Sequence, residues 1–140
     1  MSQSEDFHKA QRWLATATED LCAARSLTDA GWHAHACFSA QQCAEKAVKA
    51  AWYLIGSDPR GHSVRRLIEE YPMKKQLPDL DTLIGKAVVL DRLYFPTRYP
   101  NCLPDFTPEK SYFPADSQQA IASADYLLTV CGNGIETCKL

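Results

Sequence analysis

The feature that most constrains this chain is the stretch from residue 33 to residue 55, which contains neither proline nor glycine. It is rich in Ala, Gln, Glu and Lys, which lose little conformational freedom in a helix, and Gly31 and Gly56 mark its expected ends. At about 100° per residue, one face of this helix carries only small or aliphatic side chains, which let a neighbouring helix approach closely. These residues are Ala36, Cys37, Ala40, Cys43, Ala44, Ala47, Ala51, Leu54 and Ile55.

The opposite face of this helix mixes large aromatic rings with amides and charged groups. It carries Phe38, Gln41, Gln42, Glu45, Lys46, Lys49, Trp52 and Tyr53. A solvated helix face is ordinarily polar throughout. We therefore expect this face to be covered by another part of the chain, by a second copy of the protein or by a ligand.

Four further segments are predicted to be helical. Apolar residues three and four apart predict a first helix over 4–29, another over 78–95 and a last one over 116–131. Ser63 is placed to cap a short helix that ends before Pro72. No segment alternates with period two over a useful length. The chain is therefore predicted to be all-α, an up-and-down bundle of four long helices plus one short helix, with no β-sheet.

The length of 140 residues is typical of a single domain, here taken as residues 1–140. We expect its core to span about 9–131. Gly132-Asn133-Gly134 predicts the end of the last helix, followed by a frayed tail over 132–140. Residues 96–114 hold five of the eight prolines together with several aromatic residues, and this combination predicts an ordered loop lying across the helices.

Charge and composition narrow the possible partners. The net charge of −2 gives no overall attraction to DNA or to an anionic membrane, and no apolar run reaches the roughly 18 residues needed to cross a bilayer. The polar, acidic N-terminal residues are unlike a secretory signal, so we expect a cytoplasmic protein. None of the six cysteines forms a C-x-x-C pair. We expect them to be reduced core thiols, with no bound metal and no cofactor.

The charged residues of the long helix allow two interpretations. Gln42, Glu45, Lys46 and Lys49 are neighbours at helical spacing. They predict either an ion pair between Glu45 and Lys49 on a solvated face, or a surface that binds an anion or a second copy of the chain.

Two further sites carry groups suited to ligand binding. Arg98 and Tyr99 follow the fourth helix, and a guanidinium beside a phenol suits phosphate binding and base stacking. The alternative is that Arg98 caps helix carbonyls and Tyr99 fills the core. His62 precedes the third helix, next to Arg65 and Arg66, and the simpler interpretation of it is a hydrogen bond to a loop carbonyl.

Three sequence motifs occur in an order that is typical of a known family. W-L-x-x-A-x-x-D-L-x-x-A spans 13–24, A-C-F-x-x-Q-Q-x-A-E-K-x-x-K-A spans 36–50, and R-Y-P spans 98–100. Over about residues 9–131 the chain resembles the HEPN domain, which is named for its occurrence in higher eukaryotes and prokaryotes and for nucleotide binding. The resemblance implies a bundle of four long helices plus a short one, usually assembled as a homodimer.

The resemblance also implies several functional settings. Prokaryotic HEPN domains are partnered with small nucleotidyltransferases, including in toxin–antitoxin pairs, whereas the HEPN domain of sacsin dimerises and binds nucleotides. The loop that begins at Arg98 is similar to that of the sacsin type. Many family members are metal-independent ribonucleases in which four to six residues separate an Arg from a His. No arginine of this sequence has a histidine at that distance, so we predict no catalytic residues of that kind.

Together these observations predict a dimeric helical module that binds the phosphate groups of a nucleotide, GTP or ATP, in a shared groove. The candidate nucleotide-binding residues are Lys46, Lys49, His62, Arg92, Arg98 and Tyr99. The candidate dimer-interface residues are Phe38, Gln42, Glu45 and Trp52. Two alternatives stay open: a partner subunit of a small nucleotidyltransferase, and a ribonuclease with an unusual active site.

Overall fold

The computed structural model describes residues 2–137, most of which lie in six α-helices. The helices are α1 (Gln3–Asp29), α2 (His33–Leu54), α3 (Val64–Glu69), α4 (Leu80–Asp91), α5 (Pro108–Ser111) and α6 (Pro114–Thr137). Two single-turn 3₁₀ helices lie in the connections, at Lys74–Gln76 and Pro100–Cys102. No β-strand occurs within residues 2–137, and the predicted all-α fold is confirmed.

Helix α2 is the centre of the bundle and packs against all five other helices. Ala40 and Ala44 on its small-residue face are fully buried, in one core cluster with Ala17 of α1 and Ala124 of α6. Side chains of this size let the helix axes approach closely. The predicted role of this face, as the contact surface for neighbouring helices, is therefore confirmed.

The hairpin formed by α1 and α2 follows from local sequence signals. The Ser2 hydroxyl accepts a hydrogen bond from the Glu5 backbone N–H at 3.2 Å, and the Glu5 carboxylate accepts one from the Ser2 N–H at 3.1 Å. This reciprocal pair is a capping box at the start of α1. Gly31 has φ of +90°, which permits the tight reversal into α2.

Helix α4 ends earlier than predicted, at Asp91, and residues 92–98 form consecutive turns. The N–H groups of Leu93 and Tyr94 donate to carbonyls only three residues earlier. Pro96 has no N–H, and the residue before a proline avoids the helical region, so the backbone tightens ahead of it. The prediction that Leu93 and Tyr94 continue the regular helix was wrong.

Helix α6 ends later than predicted, because it continues through Gly132-Asn133-Gly134 to Thr137. Ile135 is 1% exposed and packs with Ala10 and Ala50. Burying one isoleucine stabilises by about 1.5–3 kcal/mol, which offsets the cost of about 1 kcal/mol for each glycine in a helix. The predicted frayed tail was therefore wrong over 132–137, and its last residues, with Cys138, lie outside the described residues.

The predicted loop over 96–114 contains a second short helix, α5, which the sequence analysis did not predict. Pro108 occupies the first turn of α5, where its missing N–H costs nothing. Helix α6 begins at Pro114, two residues before the predicted start, and the Asp116 carboxylate accepts a hydrogen bond from the Phe113 N–H at 2.8 Å.

Candidate functional site

The mixed face of α2 surrounds a buried carboxylate, that of Glu45, which is 4% exposed. Its Oε2 accepts a hydrogen bond from Lys49 Nζ at 3.2 Å, and both carboxylate oxygens lie 3.3 Å from His62 Nδ1. The predicted Glu45–Lys49 ion pair is present, but it does not lie on a solvated face, because the Lys49 side chain is only 12% exposed. The chain's own loop before α3 therefore covers this part of α2.

The His62 ring contacts the protein through Nδ1 and one ring face, and more than half of the side chain is exposed to solvent. Its side chain is 58% exposed, and its ring stacks on the Tyr94 ring with centroids 4.8 Å apart. The His62 carbonyl accepts a hydrogen bond from Gln41 Nε2 at 3.2 Å, so the predicted bond from the imidazole to a loop carbonyl is replaced by a contact with Glu45. Because a carboxylate only accepts hydrogen bonds, His62 Nδ1 is the donor in this contact, and Nε2 lies on the other side of the ring.

Asp91 positions His62 by capping the helix that follows it. The Asp91 carboxylate accepts hydrogen bonds from Ser63 Oγ at 2.8 Å, from Val64 N at 2.7 Å and from Arg65 N at 3.1 Å. Asp91 is not among the site residues that the sequence predicted. The available signal was an acidic residue in the last turn of a helix, where the helix dipole disfavours it and a contact outside the helix has to compensate.

Arg98 lies among aromatic rings. Its guanidinium carbon is 4.2 Å from the centroid of Phe38, 4.6 Å from that of Tyr94 and 5.0 Å from that of Tyr99. Its Nε donates to the Tyr94 carbonyl at 3.0 Å. Within residues 2–137 no carboxylate forms an ion pair with Arg98, so the terminal nitrogens of the guanidinium keep donors for an anion.

The contacts of Arg98 and Tyr99 agree in part with each of their two predicted interpretations. Arg98 does bond a carbonyl, as the capping alternative predicted. Tyr99 is 49% exposed and does not fill the core. Tyr94 contacts both His62 and Arg98, and it lies in the turns that follow the early end of α4.

Within residues 2–137 neither of the two remaining candidate cations contacts a ring of this cluster. Lys46 Nζ lies 2.7 Å from Asp20 Oδ2, on the side of α2 that faces α1. Arg92 is exposed at the C-terminal end of α4. The structure thus joins His62, Arg98 and Tyr99 through ring contacts and links Lys49 to His62 through Glu45. Lys46 instead pairs with Asp20 of α1, and Arg92 forms no ion pair within residues 2–137.

The candidate interface residues differ in how much of their surface is covered by their own chain. Phe38 contacts the Arg98 guanidinium, and Gln42 Nε2 donates to Gln41 Oε1 at 2.8 Å. Trp52 Nε1 donates to the Leu67 carbonyl at 3.0 Å. Glu45 is covered within one chain, while the other three keep partly exposed surfaces. Their role in a dimer stays a prediction.

The buried thiols are not part of a reactive site. Burial raises the pKa of Cys43 and of Cys131 to about 12, and burial together with Asp116 does the same for Cys37. Thiols with such a pKa remain protonated and unreactive near neutral pH. In the part of the chain that is described, no group of three His, Cys, Asp or Glu side chains is arranged to hold a metal ion.

The cluster can therefore bind an anion next to a planar ring. Arg98 offers charged donors, Tyr99 and Phe95 offer exposed rings, and His62 offers an imidazole that is 58% exposed. None of the helices within residues 2–137 combines the length and the apolar character needed to span a bilayer.

Comparison with known proteins identifies the class of this helical bundle. Residues 10–134 match the model of the HEPN domain. The match covers most of the chain, which therefore belongs to the HEPN domain family, as its sequence motifs predicted.

Similar solved structures share this fold over nearly their whole length. The crystal structure of TT1696 from Thermus thermophilus is 33% identical in sequence with a TM-score of 0.84, covering 89% of this chain and 97% of that one. ST0689, described as an archaeal HEPN homologue, is 32% identical with a TM-score of 0.76, covering 91% of this chain and 98% of that one.

A similar protein was also found by sequence. It is named "Putative toxin MJ1304", from Methanocaldococcus jannaschii, and is 29% identical over 130 residues, which are 86% of this chain and 84% of that protein.

Proposed function

We propose that this chain is a dimeric HEPN module that binds the phosphate groups of a nucleotide at the cluster around Arg98, without catalysing a reaction. The observation that carries the proposal is the placement of the Arg98 guanidinium. It lies beside four aromatic rings and donates to one carbonyl, and within the described residues it has no carboxylate partner. A planar, immobilised cation with free donors is suited to bind phosphate in a bidentate manner.

The neighbouring groups support a ligand larger than phosphate. Tyr99 and Phe95 expose ring faces on which a base can stack. His62 contacts the same Tyr94 ring as Arg98 does and carries a free imidazole nitrogen. A base, a sugar and phosphates could therefore contact this surface together.

Dimerisation would complete the groove. In one chain Lys46 pairs with Asp20 of α1, so it would join the phosphate site only if a second copy of the chain brings it there. Phe38, Gln42 and Trp52 keep partly exposed surface on the same face of α2. Light scattering coupled to gel filtration should give twice the mass of one chain, and a monomer at every concentration would remove the shared groove from the proposal.

Calorimetric titration with GTP and ATP tests the binding site directly. We expect saturable heat for the wild-type protein and at least about tenfold weaker binding for Arg98→Gln, because a hydrogen bond to a charged group contributes about 1.5–3 kcal/mol. Arg25→Gln is the matched control, since Arg25 is exposed and pairs with Asp125 on another part of the surface. No heat with either nucleotide at millimolar concentration would refute the proposal.

A second candidate function is suggested by the relative from Methanocaldococcus jannaschii, whose printed name describes a toxin. In that case this chain would be the HEPN member of a pair with a small nucleotidyltransferase, and the exposed rings of Phe95 and Tyr99 would contact the partner protein. Growth arrest on expression of this chain alone, relieved by co-expression of a nucleotidyltransferase encoded beside it, would favour this function. Unchanged growth would count against it.

A further inference from the structure

A cleft separate from the Arg98 cluster lies at the C-terminal end of α2. Its wall is formed by the last turns of α2, by α6 and by the segment that joins α3 to α4, and its volume is about 240 Å³. None of its lining residues contacts Arg98, whose neighbour Phe38 lies near the other end of α2. The lining residues include Ala51, Ile55, Met73, Gln76, Cys131 and Gly134.

The wall of the cleft is apolar and uncharged. No Asp, Glu, Lys, Arg or His is among the described residues that line it. Lys74 and Lys75 lie between two lining residues in the sequence and Glu136 follows another, but these three residues are not part of the wall. Gln76 and Tyr71 bring the polar side-chain groups. A wall of this kind favours a neutral ligand, because a charge that leaves water without a partner is costly.

The cleft runs from the solvent to the core. Ile55 and Met73 are 37% and 38% exposed, whereas Ala51 and Cys131 in the same wall are buried. The two exposed side chains present apolar surface that a ligand would remove from water, and this removal favours binding. Methionine is unbranched and flexible, so Met73 can adapt its shape to a ligand.

The fold itself does not require the glycine at position 134. Gly134 lies inside α6 and is not among the glycines with positive φ. A Cβ added there would meet no atom within 4 Å, so no close contact between helices excludes a side chain. Glycine is nonetheless unfavourable inside a helix. Because Gly134 lines the cleft, the consequence of its missing side chain is a wider cleft.

We propose that this cleft is a binding site for a small neutral aromatic molecule with the size of two fused rings. An engineered apolar cavity of roughly 150 Å³ binds benzene, whereas pockets for drug-sized ligands begin at about 300 Å³. The cleft, at about 240 Å³, lies between these two sizes. The rings contact the apolar wall, and a polar edge of the ligand faces the exposed amide of Gln76.

Nuclear magnetic resonance of the methionine methyl groups tests this site, with indole as the probe. The chain contains two methionines, Met1 and Met73, so isotope labelling of their methyl groups gives two signals, which Met73→Leu assigns. We expect indole to shift the Met73 signal in a saturable manner. Phenol, which has one ring, should bind about three- to tenfold more weakly, because it buries less apolar surface. A Met73 signal that does not move at millimolar indole would overturn the inference.

Filling the cleft should weaken the binding without unfolding the protein. Gly134→Leu adds a side chain to the wall, so indole should bind at least about tenfold more weakly, because the apolar surface it would bury is already covered. The temperature of unfolding should stay equal or rise, since leucine favours a helix more than glycine does.

Gly85→Leu is the matched control for this variant. Gly85 lies inside α4, an added Cβ there also meets no atom within 4 Å, and the residue does not line the cleft. Its replacement should leave indole binding unchanged. Wild-type affinity for indole in Gly134→Leu, or an equal loss of affinity in both variants, would overturn the inference.

Two further measurements separate this site from the other surfaces of the protein. Arg98→Gln should leave the response of Met73 to indole intact, whether or not it weakens nucleotide binding. Light scattering should give the same mass with and without indole. A change of mass would mean that a second copy of the chain occupies the cleft, and a response of Met73 to GTP or ATP as large as that to indole would mean that the ligand is a nucleotide. Either result would overturn the inference.

Discussion

The imidazole of His62 lies nearly parallel to the phenol ring of Tyr94, with centroids 4.8 Å apart and planes inclined by 17°. This contact joins the loop before α3 to the turns after α4. Tyr94 also contacts the Arg98 guanidinium, whose carbon lies 4.6 Å from the ring centroid. A movement of either segment would therefore change the position of the His62 imidazole relative to the Arg98 guanidinium.

Asp91→Ala should destabilise the protein and displace His62. The variant removes the acceptor of three hydrogen bonds at the start of α3, so we expect the free energy of unfolding to fall by about 2 kcal/mol. Urea denaturation measures this loss, and the NMR signals of the His62 ring should shift as its stacking on Tyr94 weakens.

Asp29→Ala is the matched control for this variant, because Asp29 is also the last residue of a helix but is exposed. Its carboxylate opposes the helix dipole, so its loss should be neutral or slightly stabilising. Equal stability of both variants would show that Asp91 does not hold α3.

Arg98→Lys should recover only part of the binding that Arg98→Gln loses. The lysine keeps the charge but cannot stack its head group between rings or bind phosphate through a planar fork. We expect the affinity for GTP or ATP in calorimetry to lie between that of the wild type and that of Arg98→Gln. Wild-type affinity in Arg98→Lys would mean that charge alone binds the ligand and that the ring contacts are structural.

Replacing Gly134 and replacing Gly56 by alanine should change the free energy of unfolding in opposite directions. Gly134 lies inside α6, and an added Cβ meets no atom within 4 Å, so Gly134→Ala should stabilise by about 0.5–1 kcal/mol. Gly56 has φ of +73°, and a Cβ there would lie 3.2 Å from Asp6 Oδ2. Gly56→Ala should therefore destabilise by about 1 kcal/mol or more, and urea denaturation of both variants measures the difference. A loss of stability in Gly134→Ala would contradict the continuation of α6 beyond residue 131.

The buried thiols should resist modification. In a Cys138→Ser background at pH 8, an aromatic disulfide reagent should label the exposed Cys22 and Cys102 and leave Cys37, Cys43 and Cys131 unlabelled until denaturant is added. Because folding raises the pKa of these three thiols from 9.0 to about 12, the folded state holds their protons more tightly. Their contribution to stability is full below pH 9 and declines as the pH rises from 9 towards 12. Rapid labelling of all five thiols in the native protein would contradict this burial.

Local patterns predicted most of the bundle. The small-residue periodicity of α2, the glycines beside it and the cap at Ser63 are signals that a few neighbouring residues carry. Such signals work because helix formation depends on spacing and capping within one or two turns. Membership of the family was predictable for the same reason, because the motifs over 13–24 and 36–50 each lie within a single helix.

Two helix ends and the grouping of the charged residues depended on contacts between distant segments. The burial of Ile135 against Ala10 and Ala50 extends α6 across two glycines that would stop an isolated helix. Lys46 and Lys49 lie three residues apart, and their spacing predicts that they share one face of the helix. In the structure Lys46 pairs with Asp20 of α1, whereas Lys49 pairs with Glu45 of its own helix. The sequence by itself determined that a helical bundle forms and that α2 is its centre, because periodicity and residue size act locally. Only the tertiary structure decided that Asp91 holds the loop of His62 and that Tyr94 meets Arg98, since those contacts depend on how separate helices pack.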